Sequence, residues 1–439
     1  MSSTFLKTLN TNLLSPFLAA PMVHQSELTF RLLCRRYNVS LAATPMLHSR
    51  IFASTPAYRT LEYQTHPDDA PLIAQLCGAE PHDLVNAAAH LHHCDIIDIN
   101  LGCPQAIAKR GNYGAYLLSD VSKMQTLVSA LASTHNGTIP VSAKIRILPT
   151  PEETMQVAQA LVEAGAQMLT VHGRTKEQNK QSSGAASWEA VREVVQELQS
   201  KDVVVVSNGG VETLAHAQEC LTYTGAWGCM SAEGLLCNPS LFYDVQHDDN
   251  IVVQDFLAAL SDKCSSGTSL HIDSDWFSVL LNMRQLALAK EYMQLAHIHS
   301  NNYLKPVRSH LFKFCHALLN DNTDVRTVFA KSRSLEEMEQ GVLTLIYRTK
   351  KKYRNATATA KRCPPKDEND VNVMQDTIEW VLDQSQKEEE ETMGWSTAKY
   401  HVAAVAALTL HGSGSSSVVQ PMLKEYNSWY RRHMCPTHR

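Results

Sequence analysis

The sequence predicts an α/β protein: a (β/α)8 TIM barrel, then a small all-α helical domain and a partly disordered C-terminal extension. Three observations predict it. Eight short apolar runs alternate with amphipathic stretches over roughly 240 residues, the rhythm of strand and crossover helix. The first run ends Ala19-Ala20-Pro21-Met22, with no glycine-rich dinucleotide turn, which weighs against the alternative of an open doubly wound sheet. After about Tyr243 the strand-like runs stop, and only helical periodicity continues to Tyr347.

The expected strands are, in order, 17–20, 39–43, 72–77, 96–99, 141–145, 168–171, 203–206 and 226–230. Two intervening helices are explicit. Thr150-Pro151-Glu152-Glu153 is a capping box with proline at the first helical position; Val157, Ala158, Leu161 and Val162 follow, and Gly165 stops the helix. Trp188, Val191, Val194, Val195 and Leu198 recur at helical spacing. The barrel is expected to occupy residues 1–245 and the helical domain 246–350. The helical domain is marked by Leu280, Met283, Arg284 and Ala287, by Leu311, Phe314, Cys315 and Leu318, and by Leu343, Ile346 and Tyr347. Residues 351–439 read as an extension, with a linker over 355–391, a short helix near 371–382 and a flexible stretch over 412–417.

Composition narrows the function classes. Of 439 residues, 44% are hydrophobic and 19% charged, the balance of a soluble globular protein. A net charge of -5 excludes a uniformly basic nucleic-acid binder. The helical region differs: from Lys305 to Arg354 eleven Lys and Arg face five Asp and Glu, which fits an anionic partner. The 11 cysteines include no CxxC pair and suit a reducing compartment, and the terminal His433–His438 segment lacks zinc-site spacing, so no metal is expected. With no signal-peptide core and no membrane-length apolar window, the expected location is cytoplasmic or nuclear.

Chemistry concentrates where strands end, the edge at which barrels build their sites. The most telling stretch is Ile96-Ile97-Asp98-Ile99-Asn100-Leu101-Gly102-Cys103-Pro104: a buried strand that breaks into a stiff turn holding a thiol. Other strand ends add Pro21 and Met22, then Gln75, Lys144, His172 with Arg174, and Asn208 with Gly209 and Gly210. Strand eight gives Ser231-Ala232-Glu233-Gly234. Glycines after strands seven and eight are where barrels cradle a phosphate on backbone N–H groups. A cation such as Lys144 beside a redox ring favours its reduced, anionic form. Phosphate cradle, cation and lone thiol together read as a phosphorylated flavin with Cys103 as proton donor.

The string from Asp98 to Pro104 resembles the signature of the tRNA-dihydrouridine synthases. Its continuation Gln105 to Ala115 is similar to the eukaryotic branch acting on positions 16 and 17 of the tRNA D-loop. Ala20–Val23, Thr44–His48, Val171–Gln178 and Met230–Gly234 match as well. The resemblance is close over about 14–245, looser through Arg308–Phe312, and fades beyond about 350. It implies an FMN enzyme reduced by NADPH or NADH. Hydride goes to C6 of uracil, and Cys103, at the family's cysteine position, gives a proton to C5. It implies FMN contacts at Pro21, Met22, Gln75, Lys144, His172, Asn208, Gly209, Gly210 and Gly234. It further implies substrate contacts at Asn100 and Arg174, with the helical domain, including Lys305 and Arg308, holding tRNA. Many bacterial members carry Gly-Arg where this chain has Ala232-Glu233; an acid beside a phosphate is unfavourable, so Glu233 is expected to face away. Neither a membrane nor an obligatory protein partner is expected. Two other readings stay open: an FMN barrel acting on a free pyrimidine, and a catalytically idle tRNA-binding or tRNA-folding protein.

Overall fold

The computed structural model describes residues 16–178, 184–244 and 274–360. They belong to two compact units, one within residues 1–242 and one within 243–439. Of the linker expected over 355–391, residues 355–360 instead continue the helix Leu335–Ala360; its remainder, the short helix near 371–382, the Gly-Ser stretch and the terminal His/Cys segment lie outside the described residues.

The first unit is a closed parallel barrel. Its strands are β1 (Phe17–Ala19), β2 (Leu41–Ala43), β3 (Leu72–Cys77), β4 (Ile96–Leu101), β5 (Val141–Arg146), β6 (Met168–His172), β7 (Val204–Asn208) and β8 (Gly228–Ser231). Each pairs in parallel with the next, and β1 closes the ring on β8 with Leu18 opposite Met230. Closure excludes the open doubly wound sheet. A two-residue strand, Leu47–His48, continues beyond β2 beside the end of β3. β4 and β7 each run two residues past their expected ends, to Leu101 and Asn208. These extensions carry polar residues, but ladder pairing uses only backbone, so Asn100 still sits opposite Lys144 and Asn208 opposite His172.

Alternation along each strand sorts side chains between two environments. Ile97, Ile99 and Leu101 of β4, with Ala143 and Ile145 of β5, pack into the large cluster that includes the helix residues Leu84, Leu127, Leu161 and Val191. The other face points into the barrel. Its lower part is a plug of Leu18, Leu41, Ile73, Ile96, Met168, Val204, Val206 and Met230. Further along these strands, and on β5, the inward positions turn polar: Gln75, Asp98 and Asn100, Lys144, Thr170 and His172, Asn208. The barrel is thus filled below and chemically equipped above.

The outer helices follow their capping chemistry. The helix Pro151–Glu163 has the expected reciprocal Thr150–Glu153 cap, and Gly165 adopts a φ of 108° just past its end. Trp188–Leu198 is helical as its spacing predicts.

A buried ion cluster fixes the start of the barrel. Arg31 donates to Asp69 Oδ2 through Nε at 2.9 Å and NH2 at 2.7 Å, and Arg35 Nε donates to Oδ1 at 2.9 Å. Arg31 also reaches Ser26 O and Gln64 O. Its Ser26 contact supports the turn after β1, where Ser26 Oγ accepts from Met22 N–H at 2.9 Å. One carboxylate therefore serves two guanidinium groups in a dry setting.

The second unit is helical, including Ser274–His299, Leu304–Phe314, Thr323–Lys331 and Leu335–Ala360. Its core joins Leu288, Tyr292, Leu311, Phe314, Phe329, Met338, Val342 and Leu345. The apolar seam of the last helix is therefore 338, 342 and 345. Leu343 and Tyr347, two of the residues whose spacing marks this helix in the sequence, are 37% and 66% exposed. The seam advances by four and three residues and leaves both beside it. No helix among the described residues is long and apolar enough to cross a membrane.

Asp69→Ala strands two guanidinium groups without their carboxylate. The barrel is expected to lose about 3–5 kcal/mol. Urea unfolding followed by tryptophan fluorescence measures it; a loss under about 1 kcal/mol would mean water or carbonyls replace the carboxylate.

Candidate active site at the barrel mouth

The Cys103 turn is built by its neighbours. Asn100 Oδ1 accepts from the backbone N–H of Gly102 at 3.2 Å and of Cys103 at 2.9 Å, which folds the chain back as it leaves β4. Cys103 O accepts from Ala115 N–H at 3.0 Å. That contact brings Gly114 against the turn: a Cβ there would lie 2.8 Å from Cys103 O and 3.1 Å from Cys103 Cβ, and Gly114 has a φ of 65°. Only glycine fits. Cys103 is half-buried. Burial pushes its thiol pKa up, while the Gln105 N–H and the Arg146 and Lys144 charges pull the other way; the net shift is upward, so the thiol keeps its proton at neutral pH.

Polar side chains of β3, β4 and β5 meet below the turn. Asn100 Nδ2 donates to Gln75 Oε1 at 2.8 Å, Gln75 Nε2 to Asp98 Oδ2 at 2.8 Å, and Ser142 Oγ to Asp98 Oδ1 at 2.5 Å. Gln75 N–H in turn donates to Thr44 Oγ1. Burial pushes Asp98 up to about 6, against its hydrogen bonds and the Lys144 charge, so the carboxylate form still prevails at neutral pH.

Three cations line the other side. Lys144 Nζ donates to Asn208 Oδ1 at 2.7 Å, and Asn208 is itself fixed by donating to Met230 O. Arg146 joins the Cys103 turn to the loop after β6, donating to Gly102 O at 2.9 Å and to Thr175 O at 2.8 Å. Arg174 donates to Gly184 O and to His172 Nε2. Burial, reinforced by Arg146, pushes Lys144 down to about 8. Burial together with Lys144, Arg146 and Arg174 drives His172 far below its ordinary range. The ring is therefore neutral. A guanidinium can only donate, so Nε2 is the acceptor and the ring proton sits on Nδ1.

His172 lies against Gly209, where a Cβ would be 2.6 Å from the ring, and Gly209 and Gly210 both have positive φ. A positive-φ glycine pair packed on a neutral imidazole, beside a lysine and amide side chains, offers donors of the kind that could hold a phosphorylated flavin. Glu233 is exposed at the first turn of Glu233–Cys237. Gly234 has a second reason to be glycine: a Cβ would lie 2.6 Å from Val211 O.

The structure thus links Gln75, Asn100, Cys103, Lys144, His172, Arg174 and Asn208 through contacts, with Pro21 and Met22 at the end of β1. It sets Lys305 and Arg308 in the helical unit. Lys305 is exposed, whereas Arg308 is committed to Phe329 O at 2.9 Å and Ser332 O at 2.6 Å. Sequence reasoning passes over Asp98, Arg146 and Gly114 as site residues. Period-two alternation would find the first two, since Asp98 shares a face with Asn100 and Arg146 with Lys144. Among the described residues no His, Cys, Asp and Glu group could hold a metal.

Comparison with known proteins finds relatives of this chain by sequence. The dihydrouridine synthase family model matches residues 18–351. A tRNA-dihydrouridine(16/17) synthase [NAD(P)(+)]-like protein of Mus musculus is 39% identical over 320 residues, 72% of this chain and 58% of that protein. The tRNA-dihydrouridine(16/17) synthase of Schizosaccharomyces pombe is 34% identical over 323 residues, 73% of this chain and 74% of that protein. A tRNA-dihydrouridine(20a/20b) synthase of Saccharomyces cerevisiae is 34% identical over 226 residues, 51% of this chain and 61% of that protein. The chain therefore spans less than two thirds of the mouse relative's length.

Gly114→Ala puts a methyl group into the Cys103 backbone and strains φ. Cys103 is expected to shift outward and to react with iodoacetamide about tenfold faster, a change of about 1.4 kcal/mol. Peptide mapping reads this; an unchanged rate would mean the turn yields without moving the thiol.

Proposed function

We propose that this chain, since it belongs to the dihydrouridine synthase family, reduces the C5=C6 bond of uridine in tRNA, with NADPH or NADH as electron source. The similarity to a 16/17 synthase-like protein of mouse and the 16/17 synthase of fission yeast favours positions 16 and 17 of the D-loop. A tRNA substrate would place the protein in the cytoplasm or nucleus.

FMN is the cofactor the mouth fits. Gln75, Lys144, His172 and Asn208, with backbone at Pro21, Met22 and the 209–210 turn and beside Gly234, would hold it. Bound there, FMN would supply the hydride chemistry of the reduction. The protein's own part is the proton. The Cys103 thiol, kept protonated by burial, gives the proton on Sγ to C5 as charge develops there. The thiolate left behind is stabilised by Arg146 and Lys144 until it takes a proton from solvent. Lys144 would offer positive charge to a reduced, anionic ring, and neutral His172 would add a hydrogen bond without a further charge. Asn100 and Arg174 would meet the uracil, which must leave the tRNA stack to reach the mouth. Lys305 and the exposed Lys351 and Lys352 of the helical unit would hold phosphates.

The observation that carries this reading is a half-buried thiol pinned at a strand end between a cation cluster and an amide network. A catalytically idle protein needs none of these buried charges.

Cys103→Ala should leave flavin content and its reduction by the nicotinamide donor intact. Reoxidation by unmodified tRNA, followed anaerobically by stopped flow, should slow about 10²–10⁴-fold. Cys103→Ser should recover little, because an alcohol is a far weaker acid. A wild-type rate in the alanine variant would assign the proton to another group.

The two half-reactions should separate with pH. Reoxidation by tRNA should fall only as pH rises through the raised thiol pKa, above its ordinary 9. Flavin reduction should weaken earlier, as pH rises through about 8 and Lys144 loses its charge. Lys144→Met should remove the earlier step alone; its persistence would move the assignment away from Lys144.

Lys305→Glu should weaken tRNA binding and flatten its salt dependence by about one unit of slope for each phosphate no longer neutralised. An unchanged slope would show that Lys305 meets no phosphate.

A further inference from the structure

We propose that Asp98 is the positioning residue of the mouth: as a hydrogen-bond acceptor it dictates the amide polarity of Gln75 and Asn100, and through them the seat of Cys103. The basis is a four-member chain of contacts whose two ends allow no choice. At one end the N–H groups of Gly102 and Cys103 can only donate, so the Asn100 atom they meet is the oxygen. The other Asn100 atom, the nitrogen, then faces Gln75 and must meet an oxygen. That turns the Gln75 nitrogen toward Asp98, where a carboxylate can only accept. Both ends demand the same direction, and the two amides between them have one arrangement that satisfies every link.

The surroundings leave no easy substitute. Gln75 is 0% exposed, Asp98 3% and Asn100 8%, so water does not supply a missing partner cheaply. Ser142, also buried, occupies the second oxygen of Asp98. Were Gln75 to turn over, its nitrogen would face the Asn100 nitrogen. Asn100 would have to turn as well, and its N–H groups would then face those of Gly102 and Cys103. An error at Asp98 therefore appears three links away, at the thiol. Asp98 itself lies beneath the turn and acts through Gln75 and Asn100.

Polarity can be tested apart from packing, because carboxylate and amide have the same shape. Gln75→Glu replaces the donor facing Asp98 by an acceptor. Asp98→Asn alone keeps the direction, offering its oxygen to Gln75 and its N–H to Ser142. Combined with Gln75→Glu it can turn its N–H toward the new carboxylate. The readout is the rate of Cys103 alkylation at pH 8 in the full chain, mapped by peptide and divided by that of half-buried Cys94. It needs no cofactor or tRNA, so its failure is distinguishable from failure of the proposed activity. Asp98→Asn is expected within about twofold of wild type. Gln75→Glu is expected to raise the rate about tenfold, the population change produced by removing one net hydrogen bond. The double variant is expected to return to within about threefold. A wild-type rate in Gln75→Glu, or no recovery in the double variant, overturns the proposal. Should Gln75→Glu fail to fold, Asp98→Ala is compared with Asp98→Asn: the alanine variant is expected to react about tenfold faster, and equal rates overturn the proposal.

Discussion

The mouth of this barrel holds buried positive charge that no carboxylate neutralises directly. Among the described residues, Lys144, Arg146 and Arg174 rest on an amide oxygen and on backbone carbonyls, and none forms an ion pair. Neutral oxygens satisfy the hydrogen bonds but leave the field in place. That field adds to burial in keeping His172 neutral, and it opposes the burial that raises the Cys103 thiol pKa. It also makes the mouth receptive to anions. Asp98 lies one layer lower, bound by Gln75 and Ser142, close enough to steady Lys144 but outside its hydrogen bonds.

The division of labour along each strand explains how such a site survives. Ile73, Ile96, Met168, Val204 and Val206 fill the barrel below, where close packing stabilises the fold. Further along the same strands, Gln75, Asp98, Thr170 and Asn208 replace that plug with polar groups, most of them held by one another. The change from packing to polar chemistry costs no break in the ladder, since backbone pairing is indifferent to the side chain. Arg31 and Asp69 do for the β1 end what the plug does for the middle.

Much of this is legible in sequence because barrel strands announce themselves twice, by their apolar runs and by the polar and turn residues that end them. The thiol turn, the lysine of β5 and the glycine pair of β7 stand out as residues that plain packing does not call for. Asp98 is visible as the one acid in an apolar strand, but its work is not, because its partners Gln75 and Ser142 come from strands 23 residues before and 44 after. Gly114 is hidden for the same reason: its need arises from Cys103, brought close only by the fold. In the helical unit, Leu343 and Tyr347 fit helical spacing yet lie off the seam, since periodicity tells which residues share a face but not which face is covered. Arg308 likewise reads as a free cation in sequence, and in the fold it binds carbonyls.

The closure of β1 on β8 has a consequence for how the chain is made. Phe17 finds its partner Cys229 only after almost the whole barrel has been translated. Until then the nascent chain carries an open strand edge, and such edges invite pairing with other chains. Asn208, the seat of Lys144, also leaves the ribosome late. The mouth is thus assembled last, and a chain released before residue 208 lacks the oxygen on which its lysine rests.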